Sequence, residues 1–210
     1  MTLTLYTNPM SRGQIARWMI EETGQPYEEV ILEYGTTMKA PDYLAINPMG
    51  KVPAIRHDGR VVTEASAICA YLAEVFPEAR LAPETDDERA AYYRWMFFGA
   101  GPIESAITNS YMKVELTPEQ QVMAGYGSLE RVVDTLDGFL DGRDYVCGDR
   151  FTAADVAFGA QIVWGVMFGT LPKRDAFMPY VERLTARPAY RTAKAKDDAL
   201  TPNKDAGGGS

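Results

Sequence analysis

An α/β domain over residues 1–77 followed by an all-helical domain is the fold class this sequence predicts. Strand, helix and strand signals follow one another within residues 3–32. An Asp58-Gly59 pair sits between two apolar runs, the pattern of a hairpin. Beyond the turn-rich Pro77 to Pro83 stretch, every periodic segment repeats at helical spacing.

Each element has its own justification. Leu3-Thr-Leu-Tyr6 alternates as a short strand and runs into the turn Thr7-Asn8-Pro9-Met10. Ser11 with Gln14 three residues on reads as a capping box, Ile15, Trp18 and Met19 as the stripe of the helix it opens, and Gly24 as its C-terminal cap. Glu28 to Leu32 is the second strand, and a short helix is expected near Tyr43. Val52 to Arg56 and Arg60 to Thr63 form the hairpin. A helix follows from Glu64, with Ile68, Leu72, Val75 and Phe76 on one side and Pro77 as its stop.

Past the linker, Thr85 with Glu88 caps a helix that runs through Trp95 and Phe98 until Gly101-Pro102 bends or breaks it. Thr117-Pro118-Glu119-Gln120 starts another. Its apolar positions Val122, Tyr126, Leu129, Val133, Leu136 and Leu140 are read as one continuous repeat. Phe151-Thr152-Ala-Ala-Asp155-Val156 joins a capped start to a hydrophobic staple. The last helical turns are placed around Tyr180 to Leu184 and Tyr190 to Lys194, and the Gly-rich end, 201–210, is expected to be disordered.

Composition narrows the function. Twenty-one lysines and arginines face 29 acids, for a net charge of −8. Nucleic-acid and anionic-membrane partners are not expected, and any anionic ligand needs a local positive site. Cys69 and Cys147 form neither a CxxC pair nor a metal-ligand spacing, so a reducing, cytoplasmic setting is the simpler expectation. With His57 as the one histidine, most zinc and triad chemistry is removed, and no metal is expected. No secretory leader is expected. The most apolar stretch, Val156 to Leu171, is shorter than a bilayer span and contains Gln161.

Three runs then add a family. Asn47-Pro-Met-Gly-Lys-Val-Pro-Ala54, Glu64-Ala-Ser-Ala-Ile68 and Phe151-Thr-Ala-Ala-Asp155, in this order around one linker, resemble a cytosolic glutathione transferase. The first turn, Thr7-Asn-Pro-Met-Ser-Arg-Gly13, looks like the serine-type bacterial members of the theta/eta/zeta-like branch. The resemblance spans Leu3 to about Leu184. It implies a thioredoxin-like glutathione-binding domain over 1–77, a linker over 78–84 and a helical second-substrate domain over 85–200. It further implies a homodimeric enzyme that conjugates glutathione, a co-substrate rather than a cofactor, to an electrophilic hydrophobic small molecule. A glutathione-dependent isomerase or dehalogenase, and a non-catalytic ligand-binding or protein-binding module, are the alternatives.

The same resemblance assigns the site residues. Glutathione must be held as a thiolate, and lowering a thiol of reference pKa about 8.5 by two units takes about 2.7 kcal/mol. Ser11, at the start of the first helix, is the first candidate donor, followed by Asn8 and then Tyr6; Ser11 also fits a plain helix cap. Arg12 would add positive charge. Val52-Pro53 resembles the cis-proline turn whose backbone pairs with the cysteinyl part, and Lys39 and Lys51 are candidates for the glycyl carboxylate. Glu64 would accept from the α-ammonium, while N–H groups at Ala65 and Ser66 hold the α-carboxylate. The family's usual hydroxyl directly after the acid is replaced by Ala65, a loss of about 1.5–3 kcal/mol unless Ser66 or the backbone compensates. Phe98, Tyr111, Trp164 and Phe168, together with Trp95 and Met167, are candidates to line the second-substrate pocket, and the face around Trp95 would suit a dimer contact. Thr152 and Asp155 read as a folding signal, the two cysteines as inert, and His57 as exposed.

Overall fold

The computed structural model describes residues 2–201, so nearly all of the tail expected at 201–210 lies outside the described residues. Four short strands, β1 (Leu3–Thr7), β2 (Glu28–Ile31), β3 (Ala54–His57) and β4 (Arg60–Thr63), form one sheet in the order β2-β1-β3-β4. β1 and β2 are parallel, whereas β1–β3 and β3–β4 are antiparallel. A parallel pair needs a crossover, and α1 (Gly13–Thr23) supplies it, closing at Gly24 in the left-handed conformation (φ 67°). The tight β3–β4 turn places both Asp58 and Gly59 at positive φ, as a two-residue hairpin loop requires. α2 (Pro41–Leu44) is the short helix at Tyr43, and α3 (Ala65–Val75) follows β4.

Two compact units are distinguished: the sheet-bearing unit, reaching to Ile68 and taking in the helix that starts at Pro188, and a helical unit, Cys69–Arg187. In the sheet-bearing unit, α10 (Pro188–Leu200) packs on α1, with Tyr190 set edge-on against Trp18 at 5.0 Å. The sequence reading placed Ile15, Trp18 and Met19 inside and missed Arg17, which is fully buried on the same helix. Its guanidinium donates to Asp197 Oδ1 (2.9 Å), Glu29 Oε2 (2.6 Å) and Tyr27 Oη (3.0 Å), so partners remote in sequence make its burial tolerable.

The helical unit is built from α4 (Asp86–Phe98), α5 (Glu104–Tyr111), α6 (Pro118–Met123), α7 (Leu129–Leu140), α8 (Ala153–Phe168) and α9 (Phe177–Thr185). Gly101-Pro102 neither ends the chain's helical course nor merely kinks it: residues Gly99–Ile103 form a π turn that joins α4 to α5. The repeat expected from Val122 to Leu140 is two helices. Gly127 takes a positive φ (68°), Ser128 Oγ then caps α7 by accepting from Arg131 N–H (3.2 Å), and Val122 is left 86% exposed. Trp95 is core rather than lining or dimer surface, stacked on Phe139 at 3.6 Å between ring centres. Asp155, 0% exposed, accepts from Thr152 N–H (2.8 Å), Val146 N–H (2.8 Å) and Tyr180 O–H (2.9 Å), and ties the start of α8 to the preceding loop and to α9. Phe151 and Val156 are both buried, as a staple requires. Among the described residues, no helix is long and apolar enough to cross a membrane.

Candidate functional site

The pairing register explains why three sequence-distant segments meet. Tyr6 of β1 pairs with Ala54 of β3, and Ala54 pairs with Thr63 of β4. The turn leaving β1 (Thr7 to Ser11), the loop entering β3 (Lys51 to Pro53) and the start of α3 (Glu64 to Ser66) therefore sit at the same end of the sheet. Of the predicted site residues in this unit, Ser11, Asn8, Lys51, Val52, Pro53, Glu64, Ala65 and Ser66 all belong to these segments, and Lys39 is hydrogen-bonded to the loop that enters β3.

At the first segment the expected capping box is not formed. Gln14 turns its amide to the Pro9 carbonyl, and Arg12 occupies the N-cap with no side-chain cap bond. Ser11 Oγ instead accepts from Gly13 N–H (2.9 Å) and donates to the Asn8 carbonyl (2.7 Å). Asn8 holds the turn on both sides: its Nδ2 donates to the Leu32 carbonyl (2.8 Å) and its Oδ1 accepts from Met10 N–H (2.9 Å). Ser11 and Asn8 are half-buried and Arg12 is exposed. Tyr6 is buried in a cluster with Leu32, Met38, Tyr43 and Ala54, its ring 5.8 Å from that of Tyr43.

The second segment is a built loop. Asn47 is buried and donates to the Lys51 carbonyl (2.8 Å), while its Oδ1 accepts from Met49 N–H (3.1 Å). Tyr43 O–H also donates to that carbonyl, and burial pushes the phenol up to about 12, which keeps it a donor. Lys39 Nζ donates to the carbonyls of Met49 and Gly50 (3.0 Å each). Gly50 has φ +57°, and a Cβ there would lie 2.7 Å from both Met38 O and Lys39 Nζ, so no other residue fits without displacement. The Val52–Pro53 peptide is cis, and Val52 stands outside the β3 ladders, which begin at Ala54. Lys51 is exposed.

The third segment turns sharply. Glu64 is exposed and held at φ +66°, a left-handed conformation that costs a non-glycine residue about 1–2 kcal/mol. Ile68 N–H closes onto the Glu64 carbonyl at 2.9 Å, so the N–H groups of Ala65, Ser66 and Ala67 have no acceptor within the helix. An exposed carboxylate thus stands beside three helix-start donors, one acceptor and one anion cradle suited to the two charges of an amino-acid end.

Of the apolar candidates in the helical unit, Phe98 is half-buried with its ring 5.2 Å from Trp95, and Trp164 is half-buried on α8. Tyr111 and Phe168 are 80% and 74% exposed, and Met167 is exposed beside Phe168. His57 is buried, contrary to expectation, because β3 turns it inward, with Nε2 3.7 Å from Asp58 Oδ2. Cys69 is enclosed and Cys147 part-buried; burial raises both thiols, that of Cys147 to about 11, so neither is a thiolate at neutral pH. The sequence reading passed over Thr7, which closes β1 and is buried against α1. Only its place directly before Asn8-Pro9 signalled it.

Comparison with known proteins agrees with this arrangement. Residues 1–74 match the glutathione S-transferase N-terminal domain and residues 101–188 the glutathione S-transferase C-terminal domain. The chain is 30% identical over 182 residues to the glutathione S-transferase GstB of Escherichia coli, covering 82% of this chain and 87% of that one. A glutathione transferase from Methylococcus capsulatus superimposes with a TM-score of 0.78 at 28% identity, over 94% of this chain and all of that one. The theta-class glutathione S-transferase of Xanthomonas axonopodis pv. citri, solved with glutathione bound, gives 0.76 at 28% identity, over 95% and 99% of the two chains. With its sheet order, its cis-proline turn and both domain matches in agreement, this chain belongs to the glutathione S-transferase family.

Proposed function

We propose that this chain conjugates reduced glutathione to electrophilic hydrophobic small molecules, holding the tripeptide at the end of the sheet where β1, β3 and β4 deliver their loops. The observation that carries this reading is that convergence, with the free N–H groups of α3 beside Glu64 and the start of α1 beside Ser11. Glu64 takes the α-ammonium, the N–H groups of Ala65 and Ser66 take the α-carboxylate, and Val52 adds backbone pairing to the cysteinyl unit. Lys51 lies exposed for the glycyl carboxylate. Lys39, already bonded to two carbonyls, contributes to it less directly.

The chemistry this supplies is stabilisation of a sulfur anion. The thiol proton leaves to solvent, and Ser11 turns its own proton from the Asn8 carbonyl to the sulfur. The dipole of α1 and the Arg12 charge favour the anion further. The thiolate then attacks the electrophilic carbon: a C–S bond forms, and the electron pair passes to the leaving group or the acceptor double bond. Asn8 is the second choice, because its amide already holds the turn through Leu32 and Met10. The division of labour we infer places glutathione on residues 1–77 and the electrophile against Phe98, Tyr111, Trp164 and Phe168 within 85–200. A cytoplasmic homodimer is the setting that the family implies.

Steady-state conjugation of glutathione to an aryl halide tests the reading. Ser11→Ala is expected to lose about tenfold to a hundredfold in kcat/KM, as loss of one hydrogen bond to a charged group does. Full activity in Ser11→Ala with collapse in Asn8→Ala would move the role to Asn8. Activity unaffected by either would contradict the reading.

A further inference from the structure

Thr7 is 0% exposed, yet its Oγ1 makes no hydrogen bond among the described residues. Buried hydroxyls nearly always find a partner, and valine has the same shape, so packing does not explain a threonine here. Its direction is fixed by a neighbour. A Cβ built on Gly13, the first residue of α1, would lie 2.0 Å from Thr7 Oγ1 and 2.9 Å from Ser11 Oγ. The two hydroxyls therefore border the same bare Cα at the first turn of α1, and a side chain at position 13 would push both away. Ser11 has a single proton, given at rest to the Asn8 carbonyl, while its oxygen accepts from Gly13 N–H. A hydroxyl becomes a stronger donor when its oxygen accepts a further O–H, because linked hydrogen bonds polarise one another.

We propose that Thr7 is a positioning residue for the thiolate site: its hydroxyl donates to Ser11 Oγ when Ser11 turns its proton from the Asn8 carbonyl to the sulfur of glutathione. This rests on the reading of Ser11 as the thiol donor. Thr7 does not touch the tripeptide. It acts through Ser11, and the two hydroxyls form a short chain whose outer end is the anion. The chain also accounts for glycine at position 13, where φ alone does not demand it, since alanine would collide with Thr7 Oγ1.

The test is the ultraviolet absorbance of the glutathione thiolate, titrated against pH on wild type, Ser11→Ala, Thr7→Val, Thr7→Ser and the double variant Thr7→Val/Ser11→Ala. Thr7→Val is expected to raise the thiolate midpoint by roughly half a unit, an about threefold smaller ratio of thiolate to thiol at any given pH. Thr7→Ser should restore the wild-type midpoint, and the double variant should coincide with Ser11→Ala, because Thr7 has no route to the sulfur except through Ser11. The thermal midpoint of Thr7→Val should equal or exceed that of wild type, as for an apolar isostere replacing an unpaired hydroxyl. Should the valine variant not fold, Thr7→Ala reads the same titration.

A wild-type midpoint in Thr7→Val beside a raised one in Ser11→Ala overturns the proposal and leaves the Ser11 reading standing. A wild-type midpoint in Ser11→Ala overturns both. A raised midpoint that Thr7→Ser does not restore assigns the effect to packing, and a double variant raised beyond Ser11→Ala removes the route through Ser11. Either result overturns the proposal.

Discussion

Two helix starts in this chain carry nearly the same sequence signature and are used in opposite ways. At α8, Thr152 with Asp155 three residues on closes completely: the carboxylate is sealed from solvent and accepts from two backbone N–H groups and from Tyr180. At α1, Ser11 with Gln14 does not close. Gln14 turns back to Pro9, the N-cap makes no side-chain cap bond to the helix, and a buried hydroxyl at Thr7 has no hydrogen-bond partner among the described residues. One start is a folding device in which every polar atom named is satisfied. The other keeps hydroxyl protons that can be redirected. Groups sealed inside a satisfied, solvent-excluded network cannot be given to a ligand, whereas the half-buried Ser11 can exchange its bond to the Asn8 carbonyl for one to a ligand.

This contrast predicts opposite mutational profiles. The largest effect is expected for Asp155→Ala, which strands the N–H groups of Val146 and Thr152 and the Tyr180 hydroxyl inside the helical unit. A loss of about 3–5 kcal/mol in urea denaturation is expected, with the KM for glutathione of the folded fraction unchanged. Glu64→Ala should do the reverse: a KM for glutathione raised about tenfold or more, with unfolding free energy changed by less than about 0.5 kcal/mol, because the side chain is exposed. Tyr180→Phe removes one of the donors to Asp155 and should cost about 1–2 kcal/mol. A fall in stability on Ser11→Ala as large as that on Asp155→Ala would erase the distinction.

The smallest effect is one of pH. In the helical unit the Arg150 guanidinium, bonded to Glu88, holds that carboxyl below its ordinary value. A carboxyl lowered in the folded state stabilises above its unfolded pKa, about 4.3, and that contribution is lost as pH falls through the folded value. Thermal midpoints of Glu88→Gln should therefore fall less steeply than wild type on acidification below about pH 4.5, by a degree or two. An equal slope would show that the pair adds nothing to the acid limb.

Local signals made much of this legible beforehand. The hairpin at Asp58-Gly59, the Gly24 cap, the staple of Phe151 and Val156, and the parallel crossover through α1 all depend on residues close in sequence. Two of the misreadings depend on distant partners. Arg17 is buried because α10 brings Asp197 to it, and Trp95 is core because Phe139 stacks on it. Val122 fitted a helical repeat, but its helix stops at Met123, where Ala124 turns extended, and Ser128 caps a separate helix. At the site, the residue types at Val52-Pro53 and Glu64 were readable, but the commitments of each hydroxyl proton were not. Ser11 bonded to Asn8, and Thr7 facing Gly13, are matters of three-dimensional aim.

A crystal structure of the chain with reduced glutathione tests the central claim most directly. The account predicts the tripeptide at the sheet end, its cysteinyl backbone paired with Val52, its α-carboxylate on the N–H groups of Ala65 and Ser66, and its sulfur within hydrogen-bonding distance of Ser11 Oγ. Glutathione bound elsewhere, or bound there with its sulfur turned away from both Ser11 and Asn8, would contradict it.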